Sequence, residues 1–255
     1  MKIVMLCSKG TSSAIVYNEL IKHFNIEMVI AEEDVKKSVF LRRRIRKLGL
    51  FTVFGQVLFS VIFVPFLRKT SRKRVSKILN EYDTDMTPNY MKHDKLLLVD
   101  SVNSNECIRA LQEIQPDIIV VNGTRIISSK VLNCVNGIFI NMHAGITPKY
   151  RGVHGAYWAL YNNDIDNMGV TIHLVDEGID TGNILYQDRI KITSDDNFTT
   201  YPIIQTSVGV KSEVKAINDI INGSLKTMTN DLTSHLYSHP TVFQYIYKRI
   251  TKGVK

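Results

Sequence analysis

The segment "INMHAGITPKYRGVHG", residues 140–155, joins an apolar strand pattern to a tightly constrained turn. Side chains alternate along a strand, so Asn141 and His143 are expected to face the same side. Three glycines and one proline follow in the same segment, and these residue types fix the backbone of turns. The segment therefore predicts an amide and an imidazole held together at the end of a strand.

Short apolar segments alternate with helical patterns on both sides of this strand. Strands are predicted at residues 2–7, 27–31, 96–99, 117–121, 137–143 and 170–175. Helices are predicted at residues 14–23, 104–114 and 156–162, and a helical tail runs from about Thr199 to a cap at Gly223. Because the strands are rich in Ile and Val and are separated by helices, the pattern predicts an α/β, Rossmann-like fold. We expect an open, mostly parallel sheet with helices on both faces.

The basic charge of the chain is confined to one insert. We predict a catalytic domain at residues 1–198, a helical, basic and apolar insert at 36–90, and a helical C-terminal extension at 199–255. Residues 36–77 hold thirteen Lys and Arg and no Asp or Glu. The net charge of the whole chain is +8, which leaves −5 (8 minus 13) on the rest. A nucleic-acid partner is therefore not expected.

The insert contains twenty consecutive uncharged residues, 48–67, with basic segments on both sides. This length is sufficient for a membrane span. However, Thr52, Gln56 and Ser60 form a polar stripe at helical spacing, and both ends of the insert return to the same sheet. Three alternatives remain: a helical subdomain packed on the body or on a second subunit, peripheral contact of 36–77 with anionic headgroups, or a true span.

The cysteines and the first residues favour a cytoplasmic protein. Cys7, Cys107 and Cys134 form no C-x-x-C pair, so neither a disulfide framework nor a metal site is indicated. The segment "MKIVMLCSKG", residues 1–10, is too short for a signal peptide and fits a first strand. We expect a cytoplasmic location, and the insert leaves open a position at the inner face of the membrane.

The residues at the strand end suggest acyl-transfer chemistry. An amide can donate a hydrogen bond to a carbonyl oxygen that becomes negative, and an imidazole can transfer a proton. A carboxylate to orient His143 is available in "VDEGIDTGN", residues 175–183, from Asp176, Glu177 or Asp180. Taken singly, each motif also fits a structural histidine or ordinary turn residues.

Three segments in this order resemble the folate-dependent formyltransferase family, which uses 10-formyltetrahydrofolate. The Asn-x-His motif of the family and its following turn match Asn141, His143, Pro148, Tyr150, Arg151 and Gly152. The family's downstream Asp matches Asp180, and "VVNGTRIIS", residues 120–128, is similar to the strand and turn that receive the pterin ring. One departure is the segment from Ala144 to Ile146, where the family usually has a Ser-Leu pair.

The resemblance implies a role for each matching residue. Asn141 and His143 would stabilise an oxyanion, and Asp180 would hold His143 and help remove the amine proton. Residues implied to contact the folate co-substrate are Arg125, Ile127, Val175, Asp176 and Gly178. Residues implied to contact the amine substrate are Gly10, Thr11, Ser12, Tyr150, Arg151 and Gly152. The first three lie in "SKGTSS", residues 8–13, which is either a phosphate-binding helix start or an ordinary helix cap.

The resemblance leaves the amine acceptor open. We expect a nucleotide-linked amino sugar, as in the biosynthesis of surface glycans such as lipopolysaccharide. Only 75 residues (255 minus 180) follow Asp180, fewer than the RNA-binding domain of methionyl-tRNA formyltransferase needs, and glycinamide ribonucleotide formyltransferases lack such an insert. The alternatives are the glycinamide ribonucleotide enzyme, a formyltetrahydrofolate hydrolase, and a non-catalytic folate- or nucleotide-binding partner.

Oligomeric state is also open at this point. A homodimer could form through the insert or through "HPTVFQYIYKRI", residues 239–250. The aromatic residues Phe243, Tyr245 and Tyr247 in that segment could equally pack on the body of the same chain.

Overall fold

The computed structural model describes residues 1–255 and contains nine strands. They are β1 (Ile3–Ser8), β2 (Ile26–Glu32), β3 (Leu96–Val99), β4 (Ile118–Asn122), β5 (Ile138–His143), β6 (Arg151–Gly152), β7 (Gly169–Leu174), β8 (Ile184–Arg189) and β9 (Leu236–Tyr237). Seven of them form one sheet in the order β3-β2-β1-β4-β5-β7-β8, whereas β6 pairs with β9 separately. All six predicted strands are present with ends within one residue of the prediction, whereas β6, β8 and β9 were not predicted.

The sheet is mostly parallel, as predicted. The pairs β1–β2, β1–β4, β2–β3 and β4–β5 are parallel, whereas β5–β7 and β7–β8 are antiparallel. The carboxyl ends of β1, β4 and β5 therefore meet at one edge, which is where open α/β sheets bind ligands. The antiparallel β7 starts at that same edge beside the end of β5.

Ten α-helices surround the sheet and form the insert. They are α1 (Thr11–Leu20), α2 (Lys37–Leu48), α3 (Leu50–Leu58), α4 (Val64–Thr70), α5 (Arg72–Tyr82), α6 (Asn105–Ile114), α7 (Ser129–Leu132), α8 (Gly155–Tyr161), α9 (Tyr201–Ile221) and α10 (Val242–Lys252). A π-helical turn, Phe59–Phe63, joins α3 to α4, and short 3₁₀ turns lie at Asn89–Lys92 and Ile165–Asn167.

The two faces of the sheet are covered by different helices. On β1, Met5 packs in the core shared with α1 and α9, whereas Val4 and Leu6 pack in the core shared with α6 and α7. This alternation follows from the two-residue period of a strand. Apolar residues on both sides of β1 thus require helices on both faces, which is the arrangement predicted.

The helix α9 belongs to the principal core and is not a separate extension. Its residues Val210, Ala216 and Ile217 are fully buried in the same cluster as the residues of β1 and β2. This core therefore continues past residue 198, where the catalytic domain was predicted to end, as far as Ile220 of α9. A helix that follows the last strand of an open sheet must still bury its apolar side. It does so by covering a face of the sheet that would otherwise be exposed.

The insert forms the helices α2 to α5 between β2 and β3. Of the polar stripe predicted on it, Gln56 faces the body: it is 2% exposed, and its side chain donates to the His239 carbonyl oxygen at 2.5 Å. Phe59 is fully buried and contacts the ring of Tyr245 at a centroid distance of 4.8 Å. One side of the insert therefore packs on the C-terminal segment, and Tyr245 packs within its own chain. The helix from Leu50 to Thr70 is also long and apolar enough to cross a membrane by length and composition alone.

Candidate functional site

The antiparallel pairing of β5 with β7 sets Asn141 directly opposite His173. Asn141 Nδ2 lies 3.0 Å from His173 Nε2. His173 Nδ1 donates to the Leu174 carbonyl oxygen at 2.7 Å, so Nε2 is the acceptor for the amide. One N–H of Asn141 is committed to His173, and the second remains to donate to a reacting carbonyl oxygen.

His143 is buried at the end of β5, where both ring nitrogens face oxygen atoms. Its Nε2 donates to the Tyr150 carbonyl oxygen at 2.7 Å, and its Nδ1 lies 3.3 Å from Asp180 Oδ2. Only the protonated ring can donate to both oxygens. Burial opposes that charge and lowers the pKa of His143, whereas the Asp180 carboxylate raises it. The ring is thus placed to exchange a proton beside Asp180.

Asp180 completes the group from the loop after β7. Its backbone has a left-handed φ of 51°, and its Oδ2 accepts from the Gly152 N–H at 2.8 Å. Burial alone would raise its pKa, but the charge of His143, together with the hydrogen bond from the Gly152 N–H, lowers it to about 2. Asp180 is therefore ionised at neutral pH, and it can accept a proton once a substrate amine becomes positively charged.

Gly145 permits the contact between His143 and Tyr150. A Cβ at Gly145 would lie 2.3 Å from the Tyr150 carbonyl oxygen and 2.6 Å from His143 Nε2. The carbonyl is what Tyr150 contributes to the site, because its ring is 1% exposed and its hydroxyl donates to Asp164 at 2.7 Å. This placement differs from the predicted contact between Tyr150 and substrate: the ring instead stacks in the core.

The rest of the turn is held by the C-terminal segment. Gly152 has a φ of 93°, and a Cβ there would lie 2.3 Å from the Tyr237 carbonyl oxygen. Arg151 donates from Nη1 to Ser234 Oγ at 3.0 Å. Arg151, which was predicted to contact the substrate, thus anchors residues 234–237. Gly152 contacts the catalytic group, because its N–H donates to Asp180.

A cavity of about 180 Å³ lies beside Asn141, Gly152, His173 and Asp180. All five residues predicted to contact folate line it, namely Arg125, Ile127, Val175, Asp176 and Gly178. The side chains of Val121, Ile127 and Val175 supply apolar surface, and the loop carboxylates supply a polar edge. This combination suits a flat heteroaromatic ring. No group of three or more His, Cys, Asp or Glu side chains is arranged to hold a metal ion.

The residues around this cavity are held in place by their own contacts. Arg125 donates from Nη2 to the Glu33 carbonyl oxygen and from its backbone N–H to Glu32, each at 2.6 Å. Asp176 accepts from the Gly178 N–H at 3.0 Å and from Thr181 Oγ1 at 2.7 Å. These bonds fix the two loops that form opposite walls of the cavity.

A larger cavity of about 780 Å³ lies between the start of α1, the insert and the start of α9. Thr11, His154, Arg68 and Arg72 are among the residues that line it. The two other predicted substrate residues at the start of α1 are engaged elsewhere. The Gly10 N–H donates to the Tyr90 hydroxyl at 3.1 Å, and Ser12 Oγ donates to Asn122 at 3.0 Å. No side chain caps α1, so the ordinary-cap alternative for residues 8–13 is not what the structure has.

The match to a protein family covers the whole catalytic group. A model of the family described as formyl transferase matches residues 68–208, more than half of the chain. The chain belongs to the formyl transferase family. This confirms the resemblance that the sequence motifs indicated. The matched range begins within the insert, so β1 and the residues at the start of α1 precede it.

The sequence relatives of the chain bear the name methionyl-tRNA formyltransferase. The methionyl-tRNA formyltransferase of Kosmotoga olearia is 36% identical over 139 residues, which is 54% of this chain and 44% of that protein. The chain spans about half the length of the methionyl-tRNA formyltransferases that it matches.

Solved structures of formyl transferases share the fold. An N-formyltransferase from Helicobacter canadensis in complex with folinic acid and dTDP-3-aminofucose has a TM-score of 0.58 and 19% identity, covering 93% of this chain and 71% of that one. Glycinamide ribonucleotide transformylase 1 from Symbiobacterium toebii has a TM-score of 0.56 and 16% identity, covering 93% and 95%. These similarities confirm the predicted formyltransferase fold.

The sequence analysis of this formyl transferase missed His173. A lone histidine in the apolar strand "VTIHLV", residues 170–175, is typical of a satisfied core residue. Its contact with Asn141 depends on the antiparallel register of β5 and β7, which no local pattern specifies.

Proposed function

We propose that this protein transfers the formyl group of 10-formyltetrahydrofolate to a primary amine. The observation that carries the proposal is the contact of His143 with Asp180 next to Asn141, since Asn141 and Asp180 both line the smaller cavity. The five folate candidates line that same cavity. Membership of the formyl transferase family supports the reaction type.

The chemistry divides among these residues as follows. The amine nitrogen attacks the formyl carbon, a new C–N bond forms, and the bond from that carbon to the folate nitrogen breaks. The free N–H of Asn141 donates to the formyl oxygen as it becomes negative. Asp180 accepts the proton lost by the amine, directly or through His143 Nδ1, and the folate nitrogen takes up a proton as it leaves.

The acceptor that best suits the larger cavity is an amino sugar linked to a nucleotide. The cavity of about 780 Å³ contains Arg68 and Arg72 of the insert, and neither arginine is in an ion pair. Among the basic residues of 36–77, only Arg74 is paired, with Glu81 and Asp196. Arginine side chains bind phosphate oxygens with good geometry. His154 lines this cavity two residues after Gly152, which lines the smaller one, so the amine would reach the catalytic group across this turn.

Methionyl-tRNA is the second candidate acceptor. The relatives at 36% and 35% identity bear that name, and the unpaired basic residues of the insert could contact RNA phosphates. The two candidates predict different dependence on the arginines of the cavity. A nucleotide sugar needs Arg68 and Arg72, whereas an RNA would draw on the whole insert.

The first test is release of tetrahydrofolate from 10-formyltetrahydrofolate with a panel of amines, with product masses measured. The panel contains dTDP- and UDP-amino sugars, glycinamide ribonucleotide and methionyl-tRNA. Asn141→Ala should lower turnover on the order of 100- to 1000-fold, whereas the exposed Asn222→Ala should leave it unchanged. Formate release without any amine would instead indicate a hydrolase, and near-normal turnover by Asn141→Ala would exclude the assigned role.

The second test separates the acceptors. Arg68→Gln or Arg72→Gln should raise the KM for a nucleotide sugar by roughly 10- to 100-fold, because each loses a charge-assisted hydrogen bond. The KM for the folate should stay constant. Lys69→Gln is the matched control, since Lys69 is an exposed cation next to Arg68 on α4 that does not line the cavity. An equal effect of all three substitutions would favour RNA.

A further inference from the structure

One side of the insert is strongly apolar and exposed. The helix from Leu50 to Thr70 buries Val53, Phe59 and Leu67 against the body, with exposures of 2%, 0% and 8%. Its opposite side exposes large apolar side chains at three- and four-residue spacing, namely Leu50, Phe51, Phe54, Val57, Val61, Ile62 and Phe66. Phe51 is 89% exposed. A contiguous patch of exposed large apolar side chains marks an interaction site.

The exposed side chains of α10 extend this patch. Phe243, Ile246, Tyr247 and Ile250 lie on one face of α10 and are all exposed. Gly55 allows the two helices to meet, because a Cβ there would lie 3.1 Å from Thr241 Cβ and 3.8 Å from the Phe243 ring. We call the exposed apolar residues of 50–66 together with those of α10 the apolar face.

Basic residues that are free of ion pairs flank the apolar face. Of the thirteen Lys and Arg in 36–77, only Arg74 forms ion pairs within the chain. The helix α2 before the apolar face buries no residue at all. On α10, Lys248, Arg249 and Lys252 add further positive charge. An apolar surface bordered by cations is complementary to a lipid surface that presents anionic headgroups.

We propose that the apolar face docks on an anionic lipid bilayer, with the helix from Leu50 to Thr70 lying in the plane of the surface. The phenylalanine rings enter the boundary between headgroups and acyl chains, and the flanking cations contact the headgroups. The helix does not cross the bilayer, because its other side is buried against Tyr245 and His239 of the same chain. The anionic leaflet is the cytoplasmic one, so the protein docks from the cytoplasm.

The charge argues against a second copy of the chain as the occupant. In a symmetric dimer the same patch is present on both partners. Pairing two apolar faces would bring two sets of unpaired cations, with no acid in 36–77, to the rims of one interface. Like charges disfavour that association, whereas an anionic lipid neutralises them.

The test is co-sedimentation of the full-length protein with vesicles of phosphatidylcholine alone or mixed with phosphatidylglycerol, without folate or amine. The wild-type protein should bind the mixed vesicles and should be released as salt rises. Phe51→Gln combined with Phe54→Gln should lower partition on the order of 100-fold. Arg42→Gln combined with Arg43→Gln should lower it on the order of 25-fold. All four substituted side chains are exposed, so the variants should keep the wild-type Tm.

The matched control is Ile165→Gln. Ile165 and Val61 are both 67% exposed, but Ile165 lies outside the insert and α10, so its replacement should leave vesicle binding unchanged. Failure of the wild-type protein to bind, or equal binding to both kinds of vesicle, would overturn the proposal. A lipid-free dimer that the phenylalanine substitutions dissociate would assign the apolar face to a second copy. Retention on vesicles after alkaline carbonate extraction would indicate a span instead of in-plane docking.

Discussion

Glu213 is a carboxyl group in α9 that is fully buried and has no hydrogen-bond partner for either oxygen. It lies one helical turn after Gly209, where an added Cβ would contact Val170 and Met142 of the sheet. Burial in this apolar environment raises the pKa of Glu213 from 4.5 to about 8. The folded protein therefore holds the group protonated at neutral pH.

The consequence for stability follows from the protons bound by each state. In the unfolded chain Glu213 ionises above 4.5, whereas in the folded protein it stays protonated up to about 8. Between these values the unfolded state binds fewer protons, so raising the pH favours unfolding. The two pKa values differ by about 3.5, which corresponds to roughly 5 kcal/mol. This is the upper limit on how far the free energy of unfolding can fall as the pH rises through both values.

Glu213→Gln removes the ionisation and keeps the shape of the side chain. We expect the free energy of unfolding of the variant to exceed that of the wild type by a margin that grows by several kcal/mol from about pH 5 to about pH 8. Urea unfolding followed by circular dichroism at both pH values measures this margin. Glu113→Gln, at an exposed position of α6, is the control and should show a constant margin. A margin for Glu213→Gln that does not change with pH would refute the reasoning.

Three further predictions concern the catalytic group. His173→Leu should lower kcat by about tenfold, because the Asn141 amide loses the acceptor that orients it, and steady-state kinetics should show the KM for folate unchanged. Gly145→Ala should lower both kcat and Tm, since its Cβ would lie 2.3 Å from the Tyr150 carbonyl oxygen and force that carbonyl away from His143; full activity would contradict this. Asp180 has its pKa lowered from 3.8 to about 2, so its ionised form adds roughly 2 kcal/mol of stability above about pH 4 that is lost as pH falls toward 2. Asp180→Asn should abolish this part of the acid dependence in unfolding titrations.

The main elements of the fold could be predicted because local signals and tertiary environment agree. The strand Ile118–Asn122 is apolar over its first four residues and buried on both faces, and only a sheet covered on both sides can bury it. The strand β8 was missed because its sequence "ILYQDR" is apolar only at its start. Its place at the edge of the sheet leaves later residues half-buried or exposed, so the hydrophobic pattern is weak there.

The catalytic group was predicted in part, and the missing part depends on contacts between distant segments. Asn141 and His143 share a strand, so their common direction follows from a two-residue period. The contact of Asn141 with His173 needs the register of β5 and β7. Asp180 was chosen over Asp176 on the resemblance to the family, because the residues alone left both carboxylates open. Asp176 accepts bonds within its own loop, whereas Asp180 reaches Gly152 and His143. Sequence spacing does not distinguish these two carboxylates.

The insert is physically joined to the catalytic turn by a chain of neutral hydrogen bonds. Burial lowers the pKa of His154 to about 3 and that of His239 to about 4, so both rings are neutral at pH 7. Ser60 donates to the Gln56 carbonyl oxygen at 2.8 Å, which makes its oxygen the acceptor for His239 Nε2 at 2.9 Å.

His239 Nδ1 then accepts a hydrogen bond from His154 Nε2 at 2.7 Å. All three hydrogen bonds, from His154 through His239 and Ser60 to Gln56, therefore run in the same donor-to-acceptor direction. His154 stands two residues from Gly152, whose N–H holds Asp180. The same helix that presents the apolar face therefore supports the wall of the larger cavity and, through this chain, the turn beside the catalytic carboxylate. Removal of the insert would uncover Phe198 and Tyr245, which pack on Phe59, and leave His239 without its acceptor. The insert is therefore a structural part of the catalytic domain and not an appendage to it.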